Sequence, residues 1–151
     1  MNIERSILIA FLGNYLTNTV VAALVALVPA SATPGMLTPQ YISYVILAAV
    51  VVALLTMWYF KGASSSNTLK TGAIFGAIGF ATALIVAFIT GVAGVLTQTG
   101  SLVQAFKVIP NFWPFLASWS TLVLAIYWVA PAALIGWWKG RSSAPASQTM
   151  M

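Results

Sequence analysis

Three polar side chains, Asn14, Thr17 and Asn18, stand inside the apolar stretch FLGNYLTNTV at spacings of three and four residues. On a helix they share one face, where carboxamides and a hydroxyl can hydrogen-bond a neighbouring helix or line a cavity. Other chemistry is scarce. The 151 residues include no cysteine and no histidine, and Glu4 is the one acidic side chain. Thiol nucleophiles, thiolate or imidazole metal ligation and histidine acid–base work therefore have no residues to use. We expect no catalytic residue, no metal site and no cofactor. Glu4 precedes the first apolar stretch, so there is no intramembrane acid to load and release protons. A serine–lysine pair could be drawn from SSSN at 64–67 and Lys61 or Lys70, but Gly/Ser-rich loop composition explains that segment more simply.

The elements that must position these residues are membrane spans. With 61% hydrophobic and 5% charged residues, the chain has too few charges to solvate a globular surface. A bilayer core of about 30 Å calls for about 20 apolar residues per helix. Four segments qualify, at 6–28, 41–60, 70–96 and 112–138. Runs such as VILAAVVVALL are apolar on every side, which suits a helix that satisfies its own backbone and not an alternating barrel strand. The expected fold is all-α, an integral membrane four-helix bundle. It forms a single domain over 1–141, with a flexible C-terminal tail at 142–151.

The break at 29–40 carries three prolines and a glycine, and the break at 61–70 is Gly/Ser-rich with a lysine at each end. Between spans 3 and 4, Leu102, Val103, Phe106 and Ile109 recur at helical spacing, with Ser101 able to cap and Pro110 able to stop. This predicts a short interfacial helix. Arg5, Lys61, Lys70, Lys139 and Arg141 fall on one side of a four-span arrangement and Lys107 on the other, so both termini are expected to be cytoplasmic. Trp58, Tyr59, Phe60, Trp137 and Trp138 beside Lys61 and Lys139 read as interfacial anchors. Scattered cations at span ends serve topology and anionic lipid, and with no clustered basic patch no nucleic acid is expected. The expected location is a plasma or inner membrane, multi-pass.

Depth brings further residues to the polar face. At 1.5 Å per residue, Asn14 and Asn18 lie about 14 to 20 Å beyond Arg5, near the middle of the bilayer. Thr82 counted from Lys70, and Tyr127 and Trp128 counted back from Lys139, reach about the same level. Asn14, Thr17, Asn18, Thr82, Tyr127 and Trp128 thus form a candidate mid-membrane polar cluster. It serves either as an interhelical clasp or as a small-solute or lipid site.

Span 3 carries a second pattern. Gly72, Gly76, Gly79, Ala83, Ala87, Thr90 and Gly94 fall within one sector of about 80° and form a small-residue ridge against which another helix can pack closely. The partner could come from this chain or another. Pro131 in span 4 is expected to kink that helix. These features point to a non-enzymatic membrane protein acting through helix–helix association, as an accessory subunit or a homo-oligomer. The alternative is a small-solute transporter or channel using the polar cluster. The expected partners are membrane lipids and a second copy or larger membrane complex.

The cation distribution makes a topology test direct. Single cysteines replacing Ser65 and Thr99 should label from opposite faces of sealed vesicles, the former from the cytoplasmic face. Labelling of both from one face would remove the four-span arrangement.

Overall fold

The computed structural model describes residues 2–29, 38–61 and 67–142. The expected connector at 29–40, the break at 61–70 and the tail at 142–151 lie mostly outside these residues. Helix α1 spans Ile3–Val25 and contains a π-helical turn at Thr17–Val21. It is followed by α2 (Pro39–Lys61), α3 (Thr68–Thr99), α4 (Leu102–Phe106), α5 (Val108–Leu116) and α6 (Trp119–Ser142). The described residues hold no strand, and four of these helices, α1, α2, α3 and α6, are long and apolar enough to cross a membrane.

Local chemistry sets the helix ends. The Asn2 carboxamide accepts from the Arg5 amide at 3.1 Å and the Asn67 carboxamide from the Lys70 amide at 3.1 Å, each satisfying a donor that the first helical turn leaves open. Thr38 accepts from the Tyr41 amide at 3.2 Å, with Pro39 at the first helical position, where its missing N–H is no loss. Helix α3 stops at Gly100, whose φ of 65° few other residues adopt.

The short helix after α3 begins where expected. Ser101 Oγ accepts from the Gln104 amide at 3.4 Å. It ends earlier than Pro110 would require, because the chain turns at Lys107 and a separate helix, α5, starts at Val108. Pro110 lies in the first turn of α5, which needs no donor from it, so it is not a stop. Ile109 and residues 112–116 also belong to α5, and the last long helix starts at Trp119 and not at 112. Ser118 closes this break: its Oγ accepts from the Thr121 amide at 3.4 Å, and Thr121 Oγ1 donates back to the Phe115 carbonyl at 2.6 Å. Pro131 sits inside α6, which continues through it.

Helix α1 packs beside α2 and α3, and α6 beside α2 and α3, so α1 and α6 stand diagonally across the bundle. Five cations gather at one end. There Arg5 stacks its guanidinium over the Tyr59 ring at 5.8 Å and donates to the Trp58 carbonyl at 3.4 Å. Arg141 and Lys139 lie over Trp137 and Trp138 at 4.4 and 5.4 Å. Tyr59 is not an exposed anchor, because it is fully buried and stacked on Phe75 at 4.9 Å. Lys107, between α4 and α5, lies at the opposite end.

The core occupies the basic half and the middle of the bundle. Its tightest seam joins α3 to α6. A Cβ on Gly76 would stand 2.8 Å from the Trp128 carbonyl oxygen and from Val129 Cα, and one on Gly72 would overlap the Ala132 carbonyl. Gly136 answers from α6, with 3.2 Å between its Cα and a Cβ built on Gly72. On α3 the fully buried positions stop at Ala83. The ridge therefore has two fates. Gly72, Gly76, Gly79 and Ala83 are buried, whereas Ala87 and Gly94 are half-buried and Thr90 is exposed. A Cβ on Gly94 would meet nothing within 4 Å.

These two environments make opposite demands on the same substitution. Gly79→Ala should destabilise the protein by about 1–3 kcal/mol, because its methyl overlaps the Trp128 ring. Gly94→Ala should be neutral or stabilising by up to about 1 kcal/mol through helix propensity. Reversible unfolding in mixed micelles measures both, and equal effects would refute the asymmetry.

Candidate functional site

Asn14 is 2% exposed and binds both its own helix and the next. Its Nδ2 donates to the Ala10 carbonyl at 3.0 Å and to Thr82 Oγ1 at 2.9 Å, with the Gly79 carbonyl at 3.5 Å. Thr82 Oγ1 in turn donates to the Gly79 carbonyl at 2.8 Å. This is a closed clasp between α1 and α3: every donor on it has an acceptor. Thr17 is buried but turned inward on its own helix, its hydroxyl donating toward the Gly13 and Asn14 carbonyls at 3.0 and 3.1 Å.

Asn18 behaves differently. It lies within the π turn, where the spacing of an α-helix no longer holds, and it is exposed. The Ala22 amide reaches back to the Thr17 carbonyl across this widened turn. The expected sharing of one inward face by Asn14 and Asn18 is thus only half realised. Asn18 makes no hydrogen bond to the other described side chains; its carboxamide borders a cleft.

That cleft has a volume of about 700 Å³ and is walled by all four long helices, with Phe115 of α5 at one side. Asn14, Asn18 and Tyr15 contribute from α1, Tyr41 and Tyr44 from α2, Ala83, Ala87 and Thr90 from α3, and Tyr127 and Ser120 from α6. Among the described residues no Lys, Arg, Asp or Glu borders it. Counted from the basic end at 1.5 Å per residue, it runs from about 9 Å at Phe11 to about 30 Å at Thr90. Tyr44 and Tyr127 meet edge to face at 6.4 Å and 85° on its wall. The Thr90 hydroxyl donates to the Val86 carbonyl, which leaves the cleft an acceptor there.

Trp128, which depth alone assigned to the polar cluster, packs beside Tyr127 with ring centroids 6.5 Å apart and is absent from the cleft wall. The ring is fully buried and serves packing: a Cβ on Gly13 would stand 2.8 Å from its Cη2, and one on Gly79 would overlap its six-membered ring. Its Nε1 and the Tyr59 hydroxyl are buried without a hydrogen-bond partner. Of the six cluster residues, Asn14 and Thr82 bond directly, Asn14, Asn18 and Tyr127 border the cleft, and Thr17 and Trp128 stand apart from it.

Several residues here escaped the sequence reading. Tyr41, Tyr44 and Ser120 lie near the ends of their helices and gave no depth signal at mid-membrane. Ala132, Gly136 and Gly140 did carry one, a small residue every fourth position on α6 facing the ridge on α3. The cleft offers an amide, phenols and lone pairs amid apolar walls, a set suited to holding an uncharged molecule by shape and a few hydrogen bonds. No group of three or more His, Cys, Asp or Glu that could hold a metal occurs among the described residues. No protein family, curated protein or solved structure matches the chain.

The two asparagines should separate on mutation. A double-mutant cycle of Asn14→Leu and Thr82→Val should return a coupling of about 0.6 to 2 kcal/mol in reversible unfolding. Asn18→Leu should leave stability unchanged or raise it, since no described side chain loses a hydrogen-bond partner. A destabilising Asn18→Leu together with additive Asn14 and Thr82 changes would refute this assignment.

Proposed function

We propose that this multi-pass membrane protein is non-enzymatic, has both termini in the cytoplasm, and binds a small uncharged molecule in the cleft between its spans, as a carrier or transporter does. The observation that carries this reading is the Asn18 carboxamide, exposed on the cleft wall about 20 Å from the basic end with no hydrogen bond to a neighbouring side chain. An amide at that depth is costly in hydrocarbon, by several kcal/mol. The lack of any charged side chain on the walls supports an uncharged ligand.

A role through helix–helix association is the second reading, as an accessory subunit or a homo-oligomer. The closest part of the small-residue ridge, Gly72 to Gly79, is spent on α6 within the chain. What supports association is the far half of α3, where Ile85 and Ile89 are exposed and Gly94 is open to close approach.

The chain has no native cysteine, so single cysteines report on one position each. In phosphatidylcholine nanodiscs, cysteines replacing Asn18 or Ala87 should react with N-ethylmaleimide. A cysteine replacing Ile46, exposed on the outer face of α2 at similar depth, should stay protected. Protection of all three to the same degree would refute a binding cleft and leave association as the reading.

A further inference from the structure

We infer that the occupant of this cleft is a single-chain, uncharged amphiphile drawn from one leaflet of the bilayer, its hydroxyl or carbonyl head held by Asn18. This rests on the reading of the cleft as a binding site, and it names the ligand class. Four features lead to it. The first is extent: from Phe11 to Thr90 the cleft covers about 21 Å along the helices, but on the four long helices all of its lining except Phe11 and Asn14 lies at or beyond the middle of a hydrocarbon core of about 30 Å, so it faces chiefly the leaflet away from the basic end.

The second is access. Phe11 and Tyr15 border the cleft and are themselves exposed, 42% and 65%, on the outer face of α1. The cleft therefore opens sideways, toward acyl chains, and a ligand dissolved in the bilayer enters without crossing water. The third is charge: with no cation or carboxylate on the walls, a phosphate, carboxylate or ammonium head would lose its hydration without compensation. The fourth is size. About 700 Å³ falls within the range of pockets that enclose one drug-sized ligand, about 300–1,000 Å³, which favours one chain over two.

The polar groups are arranged to suit such a head. The Asn18 carboxamide is both donor and acceptor, so it pairs with a hydroxyl or an ester carbonyl alike. Asn14 lies deeper on the same wall, but its Nδ2 is already engaged by Ala10 and Thr82. Around Asn18 the walls are Ala83, Ala87, Val45 and Leu124, small or aliphatic side chains on three helices.

The test uses the full chain with a cysteine at position 87, in phosphatidylcholine nanodiscs. Monooleoylglycerol should slow the reaction of that cysteine with N-ethylmaleimide. Oleyltrimethylammonium, with the same chain and a fixed charge, should not, nor should glycerol. Asn18→Leu in the same background should raise the monooleoylglycerol concentration for half-protection about threefold to tenfold, the worth of one hydrogen bond. Asn18→Ala gives the same readout should the leucine variant fail to fold. Equal protection by the charged amphiphile, protection by glycerol alone, or protection insensitive to position 18 overturns the inference. A reactive cysteine that no amphiphile protects also overturns it while leaving the cleft as a solute site. A cysteine at 87 that never reacts removes the binding cleft itself.

Discussion

The Trp128 indole, seated between a glycine of α1 and a glycine of α3, is the contact on which the bundle depends. Helices α1 and α6 are diagonal, and the Trp128 ring of α6 reaches Gly13 of α1 across the centre. Gly13 leaves room for both Trp128 and Leu55, whose Cδ1 would stand 2.7 Å from an added Cβ, so three helices converge on that one position. In lipid there is no hydrophobic drive to bring apolar helices together, and close van der Waals fit must supply the association. A flat ring in a slot cut by two glycines supplies it. The buried Nε1 without a partner is the cost of this fit, and the contacts around the ring offset it.

The same wedge explains why the other half of the bundle is open. Toward the basic end, small residues on α3 and α6 let the backbones close to near contact. Beyond Trp128, α6 offers Leu124, Val123 and Ser120 in place of Ala132 and Gly136, and α3 has no fully buried residue after Ala83. The cleft lies along this half of the bundle, between all four long helices. Helices α4 and α5 fold back along α3, where Phe88 of α3 meets Phe112 of α5 edge to face at 5.2 Å and Ala105 is fully buried, and Phe115 of α5 borders the cleft.

What could be seen in the sequence follows from which forces are periodic. Four apolar stretches are legible by length and composition and a ridge of small residues by its period, and the spans and the α3 seam emerged from them. The extent of the seam is not periodic: Ala87, Thr90 and Gly94 continue the pattern of Gly72 to Ala83, but α6 comes near only part of it. The boundary at Ala117 and Ser118 was hidden for a related reason, since residues 112–138 are apolar throughout and only a serine capping bond divides α5 from α6. Tyr59 shows the limit of the aromatic-belt rule. Its place next to Lys61 suggested the interface, but Phe75 and Arg5 hold the ring inside.

The stretch FLGNYLTNTV contains the relation between fold and site in ten residues. Gly13 admits the ring that locks the bundle, and Asn14, next to it, locks α1 to α3 through Thr82. Thr17 bonds back to the carbonyls of both, and the chain then widens into a π turn. Asn18 lies at the start of that turn, one helical turn beyond the clasp, where it is exposed and borders the cleft. Two identical side chains four residues apart therefore answer to different constraints: the first completes a packed interface, and the second stands exposed at the cleft without a hydrogen bond to another described side chain.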